Sequence, residues 1–543
     1  MTVLETVAWV KPPEPIRGLD HLGVQAPCIA LYGQLLPGIT NVTDRARYYS
    51  FYSWLIWSFE RRYANHTIDE FRRVLRRAEC LFALIAIRHA RMVGDNDDGL
   101  HGKAMVGRDK LLRIGEGNPF TLDDFATLEG PNRYFKNKLG GLGQYYFGPL
   151  RDLRVLDHHQ GAGYPGYDKE RGGKLAEAFA SAVPEEAFFR VLEQPTTTWG
   201  ELDKLSAFCP CQLHANVAEH ELLLDLFLAR SPMFQGDGGT TRRASLGLIL
   251  DLAGRSVSDP DYAFEALFRG GAYTGALIDG STWQVAKPME RVLLGWGTYQ
   301  RNELLSVAVQ GLFAAILRAI ERDEGHSIRR AVDAADIAIG LLSSLGDDLK
   351  LTLDEKVERV RGELPALTDW RHASHEMQRG WRLLDIDLDD DVRIEEVAAE
   401  SVAILLALLA RGIDEYPYDD FEIDQEYFEP RGVHLLSFRQ AFNNEWNGMT
   451  LEDWIRWLAV HWGVSRHLRV ALRKLRGERR DTFRIRPVEE ELRVVDVPVP
   501  VFTQPRVGKA LQILRDLGLV DHGKDEMVLT VRGRTELEAC RAG

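Results

Sequence analysis

From about residue 186 to 475 the sequence repeats apolar residues at three- and four-residue intervals with few interruptions, and this periodicity confines the chain to a mainly α-helical fold. Arg243–Ala253 carries Leu246, Ile249, Leu250 and Ala253 on one face, and Asn302–Ile320 carries Leu305, Ala308, Val309, Leu312, Ile316 and Ile320. Ile328–Leu345, Ile394–Arg411 and Leu451–Arg476 follow the same pattern, separated by short segments bearing Gly, Pro and Asp. No repeat of fixed period is evident, which argues against a regular solenoid. At 543 residues the chain is several times the length of a usual domain, so more than one core is expected.

Nearer the amino terminus, Tyr48, Phe51, Tyr52, Leu55 and Phe59 stand at helical spacing, with Thr43 or Asp44 as the N-cap. A second helix is predicted over Ile68–Ala90 from Phe71, Val74, Leu75, Cys80, Leu81 and Leu84. Residues 1–30 read as extended and Gly94–Gly117 as a loop. The expected organisation is an N-terminal helical region (1–120), a small unit of different pattern (121–185), a helical body (186–480) and a C-terminal domain (481–543).

The C-terminal domain has the clearest pattern. A helix over 505–517 turns Val507, Ala510, Leu511, Leu514 and Leu517 inward and stops at Gly518. Leu519-Val520 and Met527-Val-Leu-Thr flank the turn His522–Glu526, and Gly533–Cys540 closes as a helix. The run Leu511-x-x-Leu-x-Asp-Leu-Gly-Leu-Val520, followed by Leu529-Thr-x-x-Gly-x-x-x-Leu537, is similar to the last helix, wing and trailing helix of the winged-helix superfamily over about residues 500–543. That resemblance implies DNA contact, with the helix in the major groove and the wing on the backbone. Residues 122–185, with a helix running into Leu153–Leu156, a Gly-rich turn and a helix from Gly172, are expected to form a second winged-helix-like unit. The run Arg45-Ala-Arg-Tyr-Tyr-Ser-Phe-Tyr-Ser-Trp54 also resembles uncharacterised bacterial proteins that share an Arg-x-Arg-Tyr-x-x-Phe-x-x-Trp segment and are commonly encoded among phage-defence genes. This implies an antiviral context and transfers no role to any residue.

With 67 Lys+Arg against 81 Asp+Glu the net charge is −14, which excludes a surface that is basic throughout. The charge is segregated. Between 466 and 486 stand Arg466, Arg469, Arg473, Lys474, Arg476, Arg479, Arg480, Arg484 and Arg486 against only Glu478 and Asp481. With Arg506, Lys509 and Lys524 of the winged segment, Arg466, Arg469, Arg473, Lys474, Arg476, Arg479 and Arg480 form the expected DNA-binding set, able to neutralise several phosphates. Residues 414–429 hold eight acids and no Lys or Arg, interleaved with Tyr416, Tyr418, Phe421, Tyr427 and Phe428. They read as a solvated acidic loop, with docking onto a basic partner or shielding of the 466–486 patch as alternatives. Asp385–Asp391 lacks the ligand spacing of a calcium loop.

Cys209-Pro-Cys211 with His214 and His220 invites a zinc reading, but the one-residue gap between the cysteines and the wide histidine spacing favour buried thiols, so no metal is expected. His101-Gly-Lys103 with Asp109 is a near miss of the His-x-Lys-x4-Asp signature of phospholipase-D-like nucleases, the gap to the aspartate being one residue too long. Glu201-Leu-Asp203-Lys204 reads as a solvated helix start, and no phosphate-binding loop, nucleophile elbow or His-Glu-x-x-His is present. Neither a catalytic residue nor a cofactor is therefore expected. Five cysteines are too few for a disulfide framework. The first residues lack a secretory pattern, and the longest apolar run found, Val402–Ala410, is too short to span a bilayer, so a cytoplasmic location without membrane partners is expected. The function expected is a non-catalytic, DNA-associated scaffold subunit of a bacterial multiprotein system, with other protein subunits such as an ATPase or nuclease supplying activity. The alternatives are a nuclease or phosphodiesterase, and a protein-binding adaptor whose winged units clasp a partner.

Overall fold

The structure, a computed structural model, describes residues 20–94, 100–115, 119–159, 161, 163–236, 238–255, 259–323, 325–386, 393–412, 432–478, 481–522 and 527–543. It is mainly helical, with three small antiparallel sheets among the described residues. The described residues form two compact units, each discontinuous in sequence: those within 1–31, 269–284 and 294–503 make up the first, and those within 32–268, 285–293 and 504–543 the second. The region 481–543, expected as one domain, is divided between them after Thr503.

The first unit is built on helices that include Ile394–Ala410, Leu435–Asn444 and Leu451–Trp457, with Trp446 and Trp454 fully buried. Its three-stranded sheet places Glu491–Val494 between Ser327–Ile328 and Ile485–Val488, pairing Ile328 with Leu492 and Val494 with Ile485. The helix Lys287–Arg322 supplies residues to both units and runs well beyond the predicted 302–320, because Pro288 lies in its first turn, where a missing N–H costs nothing. Among the described residues it alone is long and apolar enough to cross a membrane, yet 89% of its most apolar window is buried inside the protein, as in a core helix.

The second unit is organised around Arg47–Arg62, a helix buried on nearly every side rather than along one stripe. Phe51 stacks on Phe82 of the neighbouring helix Ile68–Val93 at 4.1 Å between centroids, adding to the area both rings remove from water. That neighbour starts at Thr67, whose side chain accepts from the Glu70 amide, and stops at Gly94 in the left-handed conformation.

Two helix–hairpin–helix segments in this unit repeat one local design. The C-terminal one has the predicted order: helix Val507–Asp516, strands Val520–His522 and Met527–Leu529, helix Val531–Ala542. The other runs through helix Phe147–Asp152, strands Leu156–His158 and Pro165–Tyr167, and helix Arg171–Ala180. Leu150-Arg-Asp-Leu-x-x-x-Asp-His158 matches Leu514-Arg-Asp-Leu-x-x-x-Asp-His522. In the first, the Val155 amide donates to the Leu150 carbonyl at 2.8 Å and the Val155 carbonyl accepts from the Asp168 amide at 3.0 Å. In the second, Leu519 bonds Leu514 at 2.9 Å and Thr530 at 3.1 Å in the same senses. The residue between helix and strand takes positive φ in both, Arg154 at 53° and Gly518 at 66°. Each closing helix is capped from the return strand, by Asp168 onto the Arg171 amide at 2.7 Å and by Thr530 onto the Gly533 amide at 2.9 Å. A Cβ at Gly172 would collide with the Val155 carbonyl, and one at Gly533 with the Leu519 carbonyl.

Candidate metal centre and the neighbouring basic cleft

Four side chains from three distant stretches of the second unit converge. His89 lies near the end of the helix Ile68–Val93 and His101 in the loop beyond it, while Cys209 and Cys211 flank Pro210 at the start of the short 3-10 turn Pro210–Ala215. The His101 Nδ1 stands 3.3 Å from the Cys209 Sγ, and the His89 Nδ1 stands 3.3 Å from the Cys211 Sγ. One ligand atom from each residue falls within 4.8 Å of the other three. Cys209 and His101 are buried, Cys211 and His89 half-buried. Hydrogen bonding from Cys209 brings the Cys211 thiol down against the opposing effect of burial, aided by the Gln212 amide and the two imidazoles. Burial pushes Cys209 well up. Cys211 is thus the readily ionised thiol of the pair.

The segments carrying this cluster are fixed by two arginines. Arg45 donates to the carbonyls of Leu100 (2.8 Å), His101 (3.0 Å) and Lys103 (2.9 Å), and its Nε reaches Asp516 at 3.0 Å. Arg47 donates to the carbonyls of Ala207 (2.8 Å) and Cys209 and pairs with Glu219 at 3.1 Å. Both guanidiniums are buried, and each has carbonyl acceptors and a carboxylate to offset the desolvation of its charge. The Arg45-Ala-Arg47 run therefore acts as a brace, one arginine for each loop of the cluster.

His214 and His220, the histidines the sequence set beside the cysteines, do not join them. The His220 Nε2 lies 2.9 Å from the Leu517 carbonyl, and the two rings meet edge to face at 5.0 Å. His89 and His101 were missed because they stand 122 and 108 residues from the cysteines they meet, beyond any spacing motif. All five cysteines are free, Cys28, Cys80 and Cys540 being buried elsewhere.

The expected DNA-binding residues separate into four groups. Arg466 is buried and donates to the Leu22 and Gly23 carbonyls, Lys474 holds the Asp20 carbonyl, and Arg506 holds those of Leu36 and Ile39 beneath the Tyr32 ring. These cations are engaged within the protein. Arg469, Arg473 and Arg476 are exposed along the helix Ser465–Glu478. Arg479, Arg480 and Lys524, like the acidic stretch 414–429, lie outside the described residues. Of the helix Val507–Asp516 Gly508 is exposed, and Lys509, Leu511, Gln512 and Arg515 are half-buried.

Lys509 instead lines a cleft of about 640 Å³ in the second unit. Lys103, Arg108 and Lys110 face the same space, with Asp44 and Asp109 as the acids and Tyr134, Phe135 and Tyr145 as the rings. Lys509 pairs with Asp44, and the Lys110 Nζ reaches the Pro131 carbonyl at 3.3 Å. Lys103 is exposed, while its carbonyl is tied down by Arg45. Phe135 and Tyr145 are half-buried and meet edge to face at 5.2 Å. His101 does not line the cleft: its ring turns to the thiols, apart from the Lys103 and Asp109 with which it was grouped.

No protein-family model, no curated protein and no solved structure matches the chain.

Proposed function

We propose that the chain is a non-catalytic scaffold that binds single-stranded DNA, through the cleft lined by Lys103, Arg108, Lys110 and Lys509. The observation that carries this reading is the mixture of four cations and two half-buried rings around one open space. Lysines track a phosphate backbone and aromatic rings stack on unpaired bases, a combination that suits single strands better than a duplex. His101, the one nucleophile candidate of the loop, faces the thiols, which weakens the nuclease alternative. Fluorescence anisotropy with a labelled oligonucleotide tests the proposal. Lys103→Glu with Lys110→Glu should weaken binding by about tenfold or more at moderate salt, and unchanged affinity would reject the cleft.

A second reading, a protein-docking surface, rests on the helix Ser465–Glu478. Leu472 and Leu475 are 50% and 39% exposed beside Arg469, Arg473 and Arg476, so apolar and cationic stripes run side by side. That pairing fits an acidic partner with an apolar ridge better than a bare phosphate backbone. Under this reading Leu472→Asp with Leu475→Asp disrupts complex formation and leaves oligonucleotide affinity unchanged.

A further inference from the structure

We infer that Cys209, Cys211, His89 and His101 bind one zinc ion in a closed, structural site. The inference is independent of whether the cleft takes DNA.

Zinc bonds of about 2.3 Å to sulfur and about 2.0 Å to nitrogen give a tetrahedron with edges of roughly 3.3–3.8 Å. Two edges of the cluster, His101–Cys209 and His89–Cys211, already measure 3.3 Å, and all four donors lie within 4.8 Å of one another. The one-residue gap between the cysteines is accommodated by local geometry. Cys209 is extended, with φ −57° and ψ 139°, and Pro210 opens the following turn, so both sulfurs meet imidazoles on one side.

The donor set is chemically complete. Two thiolates and two neutral imidazoles balance a divalent charge, and this set matches the Cys₂His₂ class of structural zinc sites. Gln212 donates to the Cys211 sulfur at 3.3 Å, and the Cys209 carbonyl is held by Arg47, so partners outside the ligand set are in place. With four protein ligands no position remains for water or substrate, which makes the ion a cross-link and not a reaction centre. It would join a helix end, the 100–103 loop and the 207–211 loop, segments otherwise tied by Arg45 and Arg47.

The test uses the full chain, purified from zinc-supplemented culture without chelator, with metal measured by plasma mass spectrometry. About one zinc per chain is expected, falling to less than about a tenth in Cys209→Ser/Cys211→Ser and dropping strongly in His101→Ala. His214→Ala should keep the full complement. Should the cysteine variants fail to fold, the wild-type chain exchanged with Co²⁺ gives a second readout: thiolate-to-cobalt charge-transfer bands and the visible bands of tetrahedral cobalt. Wild-type protein that takes up neither zinc nor cobalt after thiol reduction would overturn the inference. So would full zinc content in the double cysteine variant, or a Cys209–Cys211 disulfide that reduction with added zinc does not convert to a metal site.

Discussion

The His101 Nδ1 and the Cys209 Sγ stand 3.3 Å apart although 108 residues separate them in sequence. Arg45 holds the carbonyl of the first and Arg47 the carbonyl of the second. The start of one buried helix therefore sets the distance between two loops that carry the cluster. Because the braces are buried ion pairs, removing half of one leaves an uncompensated charge. Arg47→Met should destabilise the second unit by about 3–5 kcal/mol, and Arg47→Met with Glu219→Met by less than either single change. Urea unfolding followed by near-ultraviolet circular dichroism measures both; additive losses would contradict the coupling.

Glu79 offers a second check on the same unit. It is fully buried and accepts from the Tyr52 hydroxyl at 2.8 Å, the Gly141 amide at 2.9 Å, the Leu142 amide at 2.8 Å and the Tyr134 hydroxyl. Glu79→Gln keeps the shape but turns an NH₂ toward groups that can only donate or would have to reorient. A loss of about 2–3 kcal/mol in unfolding free energy is expected; a neutral effect would show that the hydroxyls turn without cost.

The repeated hairpin predicts equal sensitivity at two positions. Gly172→Ala and Gly533→Ala each force a methyl against a carbonyl oxygen. Each should lower stability by about 1–3 kcal/mol, whereas Gly508→Ala, on an exposed helical position with open space around it, should not destabilise. Thermal melts of the three variants separate these outcomes.

Stability of the first unit should depend on pH through His467. Its Nδ1–H donates to the His21 carbonyl at 3.0 Å and its Nε2 accepts from the Arg484 amide at 2.8 Å, so the ring is held neutral. Burial lowers it to about 4, with Arg484 and Lys474 contributing, from the ordinary histidine value of about 6.5. The unfolded chain takes up the proton first as pH falls. The contribution is complete above about pH 6.5 and is lost toward pH 4, by about 3 kcal/mol in all. Urea titrations at pH 7, 5.5 and 4.5 should show this slope in the wild type and a shallower one in His467→Gln.

Legibility in the sequence followed the range of the interactions. Helices with strong local signals were readable: Ile68–Val93 has its cap at Thr67, and the C-terminal hairpin has Gly518 at the helix end. The copy at 147–180 was harder to read, because Arg154 replaces the glycine and its strands are only three residues long. The two-unit division was not legible, because each unit is assembled from segments far apart in sequence. The basic patch at 466–486 was visible as charge, but the use of Arg466 and Lys474 as carbonyl-binding struts depends on residues 20–23, far away in sequence. The cysteine pair was noted from its sequence, and its histidines could be found only in three dimensions.

Salt dependence of single-stranded DNA affinity tests the functional proposal most directly. Three or four phosphate contacts in the cleft predict that log K falls against log salt with a slope of roughly −2 to −3, and that Lys103→Glu/Lys110→Glu flattens the slope by about 1.4. Arg469→Glu/Arg473→Glu/Arg476→Glu should leave it unchanged. No binding at low salt, or a slope that the cleft variant does not alter, would contradict the proposal.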